Sequence, residues 1–365
     1  MTKINEVVDY LNSRFLPVYQ ESYDNAGLLV GDVDTPVEGV MVTVDVTPAV
    51  VDEALAHHCN LIVSHHPLIF GGIKRLTPSH ATGWMLMKLV ENHICVYAAH
   101  TNLDNLLWGV NGILAERLGV HQCRILRPVE GVLRKMVTYV PAAHADKVRE
   151  ALFQAGAGCI GAYDSCSYNI DGTGTFRAGE ECHPFCGEVG VLHREAETRI
   201  EVIYEQRQER RLLARLREVH PYEEPAVDCI PLANSYPAVG AGMVGTLDEA
   251  MPVDRFLAYV KEQLHLPVVR CSALCRQQVR RVALCGGSGS FLIGDAKACG
   301  ADIFLTADLK YHDFQAAEND IILADVGHYE SEQFAKDIFY RVISEKFSTF
   351  ACRISEQDKG FVSYI

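Results

Sequence analysis

Short runs that are apolar at every position, set between segments of helical periodicity, constrain this chain more than any other feature. Val40-Met41-Val42-Thr43-Val44, Leu61-Ile62-Val63 and Ile94-Cys95-Val96-Tyr97-Ala98 are three of them. Val282-Ala283-Leu284-Cys285, Ile303-Phe304-Leu305 and Ile321-Ile322-Leu323-Ala324 repeat the style near the other end. Successive strand side chains point to opposite faces, so a strand apolar throughout must be covered on both. That is the condition of a largely parallel α/β sheet with helices on each side. Helical patterns fall where the crossovers need them, over residues 48–57, 82–92 and 110–118, with a long final helix over about 331–345. Ile4, Val7, Val8, Leu11 and Phe15 predict an amphipathic helix at the N-terminus.

The stretch from about 133 to 232 has another character. It reads as a strand (135–140), a helix (143–154), the Gly-rich Gly156-Ala157-Gly158, further strand-like runs, a charged helix (205–219) and a closing strand (227–230). Strand–helix–strand given twice predicts a ferredoxin-like α+β insert. A chain of 365 residues exceeds one comfortable core. The expected division is residues 1–130 and 236–365 as two parts of one α/β domain, with 131–235 inserted between them.

Charge and cysteine usage narrow the function classes. The formal charge is −14 with no basic block, which disfavours nucleic acid as a partner. No stretch approaches the ~20 apolar residues of a transmembrane helix, and the first residues lack the apolar core of a signal peptide. Thirteen cysteines, an odd number spread along the chain, suit free thiols better than a disulfide framework. A cytoplasmic location is the expectation.

The chemistry-bearing residues stand just past strand ends, where open α/β sheets place their ligands. Ser64-His65-His66-Pro67 follows one strand, and His100-Thr101-Asn102-Leu103-Asp104 follows the next. Gly327-His328-Tyr329-Glu330-Ser331-Glu332 follows the last strand and enters a helix, where His328 and Glu332, four apart, share a face. Each cluster has a structural alternative: a solvated His, Asp104 as a helix N-cap, Glu332 as a first-turn dipole partner. Together His65, His66, Asp104, His328 and Glu332 make five nitrogen and oxygen ligands. That exceeds what one catalytic zinc takes from protein and suits two divalent ions bridged by a carboxylate. Zn, Fe, Mn or a similar ion fits such a set.

These blocks, with Asp24-Asn25-Ala26-Gly27-Leu28 and Leu305-Thr306-Ala307-Asp308-Leu309-Lys310-Tyr311-His312, resemble the signature motifs of the GTP cyclohydrolase I type 2, or NIF-three-like, family. The resemblance spans the chain. Tyr139-Val140-Pro141, Tyr163-Asp164-Ser165-Cys166-Ser167, Gly172-Thr173-Gly174-Thr175-Phe176 and His220-Pro221-Tyr222-Glu223-Glu224-Pro225 resemble the PII/CutA-like insert of its longer bacterial members. It implies two metal ions, with His66 and Asp104 on one, His65 and His328 on the other and Glu332 bridging, in a homohexameric ring. It also implies hydrolytic opening of the guanine imidazole ring of GTP; His100 and His312, in motifs beside the expected ligands, are the candidates by position for moving protons. Tyr23 and Ala307 depart from the common pattern, which has Trp and Gly there; neither is an expected ligand.

Two readings of other classes use the same residues. One is a non-catalytic metal-binding or regulatory assembly protein. The other is a phosphoesterase whose phosphate cradle is the Gly-rich turn Cys285-Gly286-Gly287-Ser288-Gly289-Ser290, which could equally be a tight structural turn. Cys182-His183-Pro184-Phe185-Cys186 could hold a soft metal but lacks a second Cys pair nearby. His220 reads as part of a structural or interface turn.

Overall fold

The computed structural model describes all residues, Met1–Ile365. They form two compact units: Met1–Pro128 with Pro237–Ile365, and Val129–Tyr236.

The first part of the first unit runs α1 (Ile4–Arg14), β1 (Gly27–Val30), β2 (Gly39–Thr43), α2 (Pro48–Ala56), β3 (Leu61–Ser64), α3 (Ala81–Glu91), β4 (Cys95–Ala98), α4 (Thr101–Asp104), α5 (Val110–Arg117) and β5 (His121–Val129). Helix α2 starts where the chain supplies both start signals: Thr47 Oγ1 accepts from the Val50 N–H, and Pro48 sits in the first turn. The second unit follows as β6 (Leu133–Pro141), α6 (Ala145–Gln154), β7 (Tyr168–Arg177), β8 (Leu192–Glu205), α7 (Glu209–Val219) and β9 (Val227–Pro231). The first unit resumes with β10 (Tyr236–Pro252), α8 (Val253–Gln263), β11 (Arg270–Cys271), β12 (Gln278–Ser288), α9 (Ile293–Ala298) and β13 (Ile303–Ala307). It ends with α10 (Tyr311–Gln315), β14 (Ile322–Asp325), α11 (His328–Glu332), α12 (Ala335–Lys346) and β15 (Ala351–Ile354).

The first unit holds two sheets. One has the order β1-β4-β3-β2-β15, with β15, β2, β3 and β4 parallel and β1 antiparallel at the edge. The other has the order β11-β14-β13-β12-β10-β5, with β12, β13 and β14 parallel and β10 and β11 antiparallel to their neighbours. Every residue of β2, β3, β4, β13 and β14 is buried, as the continuous apolar runs require. The two sheets trade strands across the sequence. β5 precedes the second unit yet pairs in the later sheet, and the C-terminal β15 completes the earlier one.

The expected long final helix is two helices. α11 ends at Glu332 and α12 begins at Ala335. At the break, the Gln333 side chain donates to the carbonyls of Leu264 and Glu330, anchoring the turn. α12 then sends Ile338, Phe339, Val342 and Ile343 into the core.

The second unit is a single antiparallel sheet of order β7-β8-β6-β9. α6 and α7 cross one face and close a core around Met136, Val140, Ile200, Val202, Leu152 and Leu216. No helix of the chain is long and apolar enough to cross a membrane.

Candidate metal centre

The carboxyl ends of the two parallel arrays in the first unit supply one cluster of side chains. From the first sheet come Asp45 after β2, His65 and His66 after β3, and His100 and Asp104 after β4. From the second come Gly286 and Gly287 at the end of β12, Asp308 after β13, and His328 and Glu332 on α11 after β14.

Three imidazoles are fixed the same way. His65 Nδ1 lies 2.9 Å from the Ala99 carbonyl oxygen, an acceptor only, so Nδ1 carries the proton. His66 Nδ1 donates to Asp45 Oδ1 at 2.9 Å, and His328 Nδ1 donates to Asp308 Oδ2 at 2.7 Å. Each ring therefore turns Nε2 toward a common centre, the arrangement that orients metal-bound histidines. The centre is Glu332 Oε2, 2.9 Å from His66 Nε2, 3.0 Å from His328 Nε2 and 3.7 Å from His65 Nε2. Asp104 Oδ1 stands 3.5 Å from His65 Nε2.

Glycine makes this possible on the facing strand. A Cβ at Gly287, whose φ is +60°, would lie 2.1 Å from Glu332 Oε1. The Gly286 and Gly287 N–H groups donate to Asn111 Oδ1 and Ser331 Oγ. Those two donors are spent, which favours the structural reading of the Gly-rich turn over a phosphate cradle. Asp308 itself holds φ +58°, uncommon for a residue with a side chain, and uses it to reach His328.

Electrostatics follow from burial and pairing. Burial alone would raise the Glu332 carboxyl, but the imidazoles of His65, His328 and His66 hold it well below the usual range. Burial would lower His66 and His328; bonds from Asp45 and Glu332 instead push His66 up to about 10, and Glu332 and Asp308 push His328 up to about 9. Asp104 is pushed up to about 6 by burial and by the Glu332 carboxylate, against the pull of His65.

The fit to a cation rests on two orphaned atoms. His65 Nε2 and Asp104 Oδ1 are both buried without a hydrogen-bond partner. At 3.5 Å they are too far apart for a good hydrogen bond, and each such orphan costs about 1–3 kcal/mol unless something else satisfies it. A cation between them would satisfy both. The ligand atoms of His65, Asp104 and Glu332 lie within 4.8 Å of one another, as do those of His66, His328 and Glu332. This differs from the pairing the resemblance implied, His66 with Asp104 and His65 with His328. Adjacent residues leave a strand end in different directions, so His65 turns to α4 of its own sheet and His66 to the other sheet.

Asp104 is not the N-cap of the following helix; it closes the single turn α4, and α5 begins at Val110 behind Gly109. His100 Nδ1 donates to Asp24 Oδ1 at 2.8 Å, and its ring sits 5.3 Å from that of His65 and 5.4 Å from that of His66. His312 is the exception. It is exposed on α10, edge-on to Tyr311, and not among the residues lining the cleft that holds His66, His100, Asp104, His328 and Glu332. Asp45, Asn111 and Ser331, which hold the site from behind, carried no sequence signal of their own.

The cleft measures about 420 Å³. Tyr23, Phe70 and Phe291 line it and are more than half exposed, an unusual cost for three aromatics around one opening. No Lys or Arg is among its lining residues.

An imidazole–carboxylate cluster between the strand ends of two α/β sheets defines the class: an α/β protein with a candidate metal centre. The chain belongs to the Duf34/NIF3 (NGG1p interacting factor 3) family, whose model matches residues 2–359. It is 39% identical over 307 residues to the "GTP cyclohydrolase 1 type 2 homolog" of Halalkalibacterium halodurans, covering 84% of this chain and 82% of that one. The protein of the same name from Bacillus subtilis is 37% identical over 330 residues, covering 90% and 88%. A Bacillus cereus protein related to NIF3 superposes with a TM-score of 0.84 at 34% identity, covering 100% of this chain and 99% of that one.

In the second unit, His220 is buried. Its Nε2 bonds to the Tyr139 carbonyl and its Nδ1 accepts from the Tyr222 N–H, which is the behaviour of a structural turn.

Proposed function

We propose that this chain is a metal-dependent hydrolase that holds two divalent cations, such as Zn, Fe or Mn, and opens a flat nitrogen heterocycle. The orphaned His65–Asp104 pair beside Glu332 carries the reading. His65, Asp104 and Glu332 would hold one ion, and His66, His328 and Glu332 the other. Bound there, the pair would activate water and polarise the bond to be cleaved.

The chain's own groups supply the rest. Asp24 fixes the tautomer of His100, so Nε2 is the end free to take a proton from water and return it to the leaving nitrogen. Tyr23, Phe70 and Phe291 offer faces for a planar ring at the mouth of the cleft. The name borne by the relatives from Halalkalibacterium halodurans and Bacillus subtilis supports a guanine-type ring as that heterocycle. No Lys or Arg lines the cleft to hold a phosphate tail, which favours the ring as the part recognised.

The assembly is a homohexameric ring in the cytoplasm, and the second unit is a ferredoxin-like module of the PII/CutA-like kind. Its strand–helix–strand–strand–helix–strand order and antiparallel β7-β8-β6-β9 sheet support that assignment.

The test is elemental analysis and turnover of metal-reconstituted protein on GTP, guanosine and phosphoesters, beside Glu332→Gln and His65→Ala/His328→Ala variants. Two ions per chain, and ring opening that vanishes in Glu332→Gln, are expected. Two ions without turnover would make the chain a metal-binding or regulatory assembly protein instead. Unchanged loading in the double variant would refute the site.

A further inference from the structure

The second unit carries another group of metal-ligating side chains. Cys186, His193 and Glu195 offer one thiol, one imidazole and one carboxylate, with ligand atoms within 4.8 Å of one another. His193 and Glu195 are two apart on β8 and so share a strand face. Cys186 comes from the loop before β8, and all three residues are half-buried.

The local structure is shaped around this group. Gly187, at φ +81°, turns the loop so closely over His193 that a Cβ there would lie 2.8 Å from the ring. The ring also packs at 5.3 Å on Phe176, its cross-strand neighbour on β7. Phe176, Phe185 and Tyr222 also line an adjoining cavity of about 670 Å³. Glu195 Oε2 is 2.8 Å from His193 Nε2, and Cys186 Sγ lies within 4.8 Å of both.

We propose that Cys186, His193 and Glu195 form a second cation site, selective for a borderline or soft divalent ion of the zinc class. A thiolate excludes magnesium and calcium, which prefer oxygen alone, while imidazole and carboxylate both suit zinc. On binding, the Cys186 thiol proton leaves to solvent, while neutral His193 keeps its one proton on the ring nitrogen that does not meet the ion. Three protein ligands leave a fourth position for water or an exogenous donor. This supplies what the Cys182–Cys186 segment lacks by itself: the partners of Cys186 stand seven and nine residues further on, on a strand.

Cobalt(II) is the probe, titrated into the full-length chain. The expected signal is a near-ultraviolet thiolate-to-cobalt absorption band that saturates and is displaced by zinc. It should persist in His65→Ala/His328→Ala, whose ligands belong to the other centre, and disappear in Cys186→Ser. His193→Ala and Glu195→Gln should weaken cobalt binding at least about tenfold, with circular dichroism unchanged. Absence of the band from the parent chain, or a band of full intensity in Cys186→Ser, overturns the site. Failure of the hydrolase reading would leave the band untouched.

Discussion

The Asp24 side chain is fully buried and accepts hydrogen bonds from His100 Nδ1, the Thr101 N–H and the Thr101 hydroxyl. Burial alone would raise its carboxyl, but the His100 and Thr101 bonds outweigh burial and hold it well below the usual range. A carboxyl depressed in the fold stabilises above its unfolded pKa of about 3.9, and that stability is lost as pH falls below it. Asp24→Asn should therefore cost about 1–3 kcal/mol at pH 7, with the gap to the parent narrowing below about pH 4. Urea unfolding at several pH values reads this directly. Asp308→Ala frees the His328 ring and should weaken metal binding about 10–100-fold with little change in melting temperature. Gly287→Ala puts a methyl group against Glu332 and a side chain at φ +60°. It should lower metal stoichiometry measured by elemental analysis, where the same change at Gly294, which has open space around it, should not. At this scale the clustering of His65, His66, Asp104, His328 and Glu332 was legible because His and Asp past an apolar run are costly to bury without a purpose. Asp45 and Asn111 were not, because an isolated polar residue in a loop has too many ordinary uses.

Strands that are apolar on both faces were the most readable elements, and β2, β3, β4, β13 and β14 fall where those runs lie. The edge strands β1, β11 and β15 were not read, being short or mixed in polarity, since an edge needs cover on fewer sides. Helix α12 shows what its packing contributes. Phe339 is fully buried edge-on to Phe15 at 5.6 Å, so Phe339→Ala should cost about 3–5 kcal/mol in chemical denaturation. The split between α11 and α12 escaped the sequence because residues 331–345 carry helical periodicity throughout; the break is made by Gln333 reaching the Leu264 carbonyl, a contact 69 residues away. The C-terminal segment also braces the site. Asp358 accepts from the Val44 N–H at 2.9 Å and pairs with Lys336, holding the loop that presents Asp45 to His66.

At the scale of the molecule, the proposed cations would lie between two sheets and couple their docking to ion occupancy. A chelator should lower the stability of the metal-loaded protein, by about 2.7 kcal/mol where free ion had been a hundredfold above its dissociation constant. Differential scanning calorimetry with and without chelator measures it. If the ring is the recognised part, guanosine should bind the metal-loaded cleft within about tenfold of GTP, since no Lys or Arg waits there for a phosphate tail. A calorimetric preference for GTP well beyond that would assign recognition to the phosphates. The sequence by itself determined the class of sheet, the βαββαβ order of the second unit and which imidazoles and carboxylates stand at strand ends, because burial and periodicity are local in the chain. The tertiary structure alone decided that two separate sheets point those ends at each other, that His65 goes with Asp104 and His66 with His328, and that His312 stays outside. Those choices depend on contacts between residues up to hundreds of positions apart, such as His66 with Glu332, and no local pattern encodes the direction in which a chain leaves its strand.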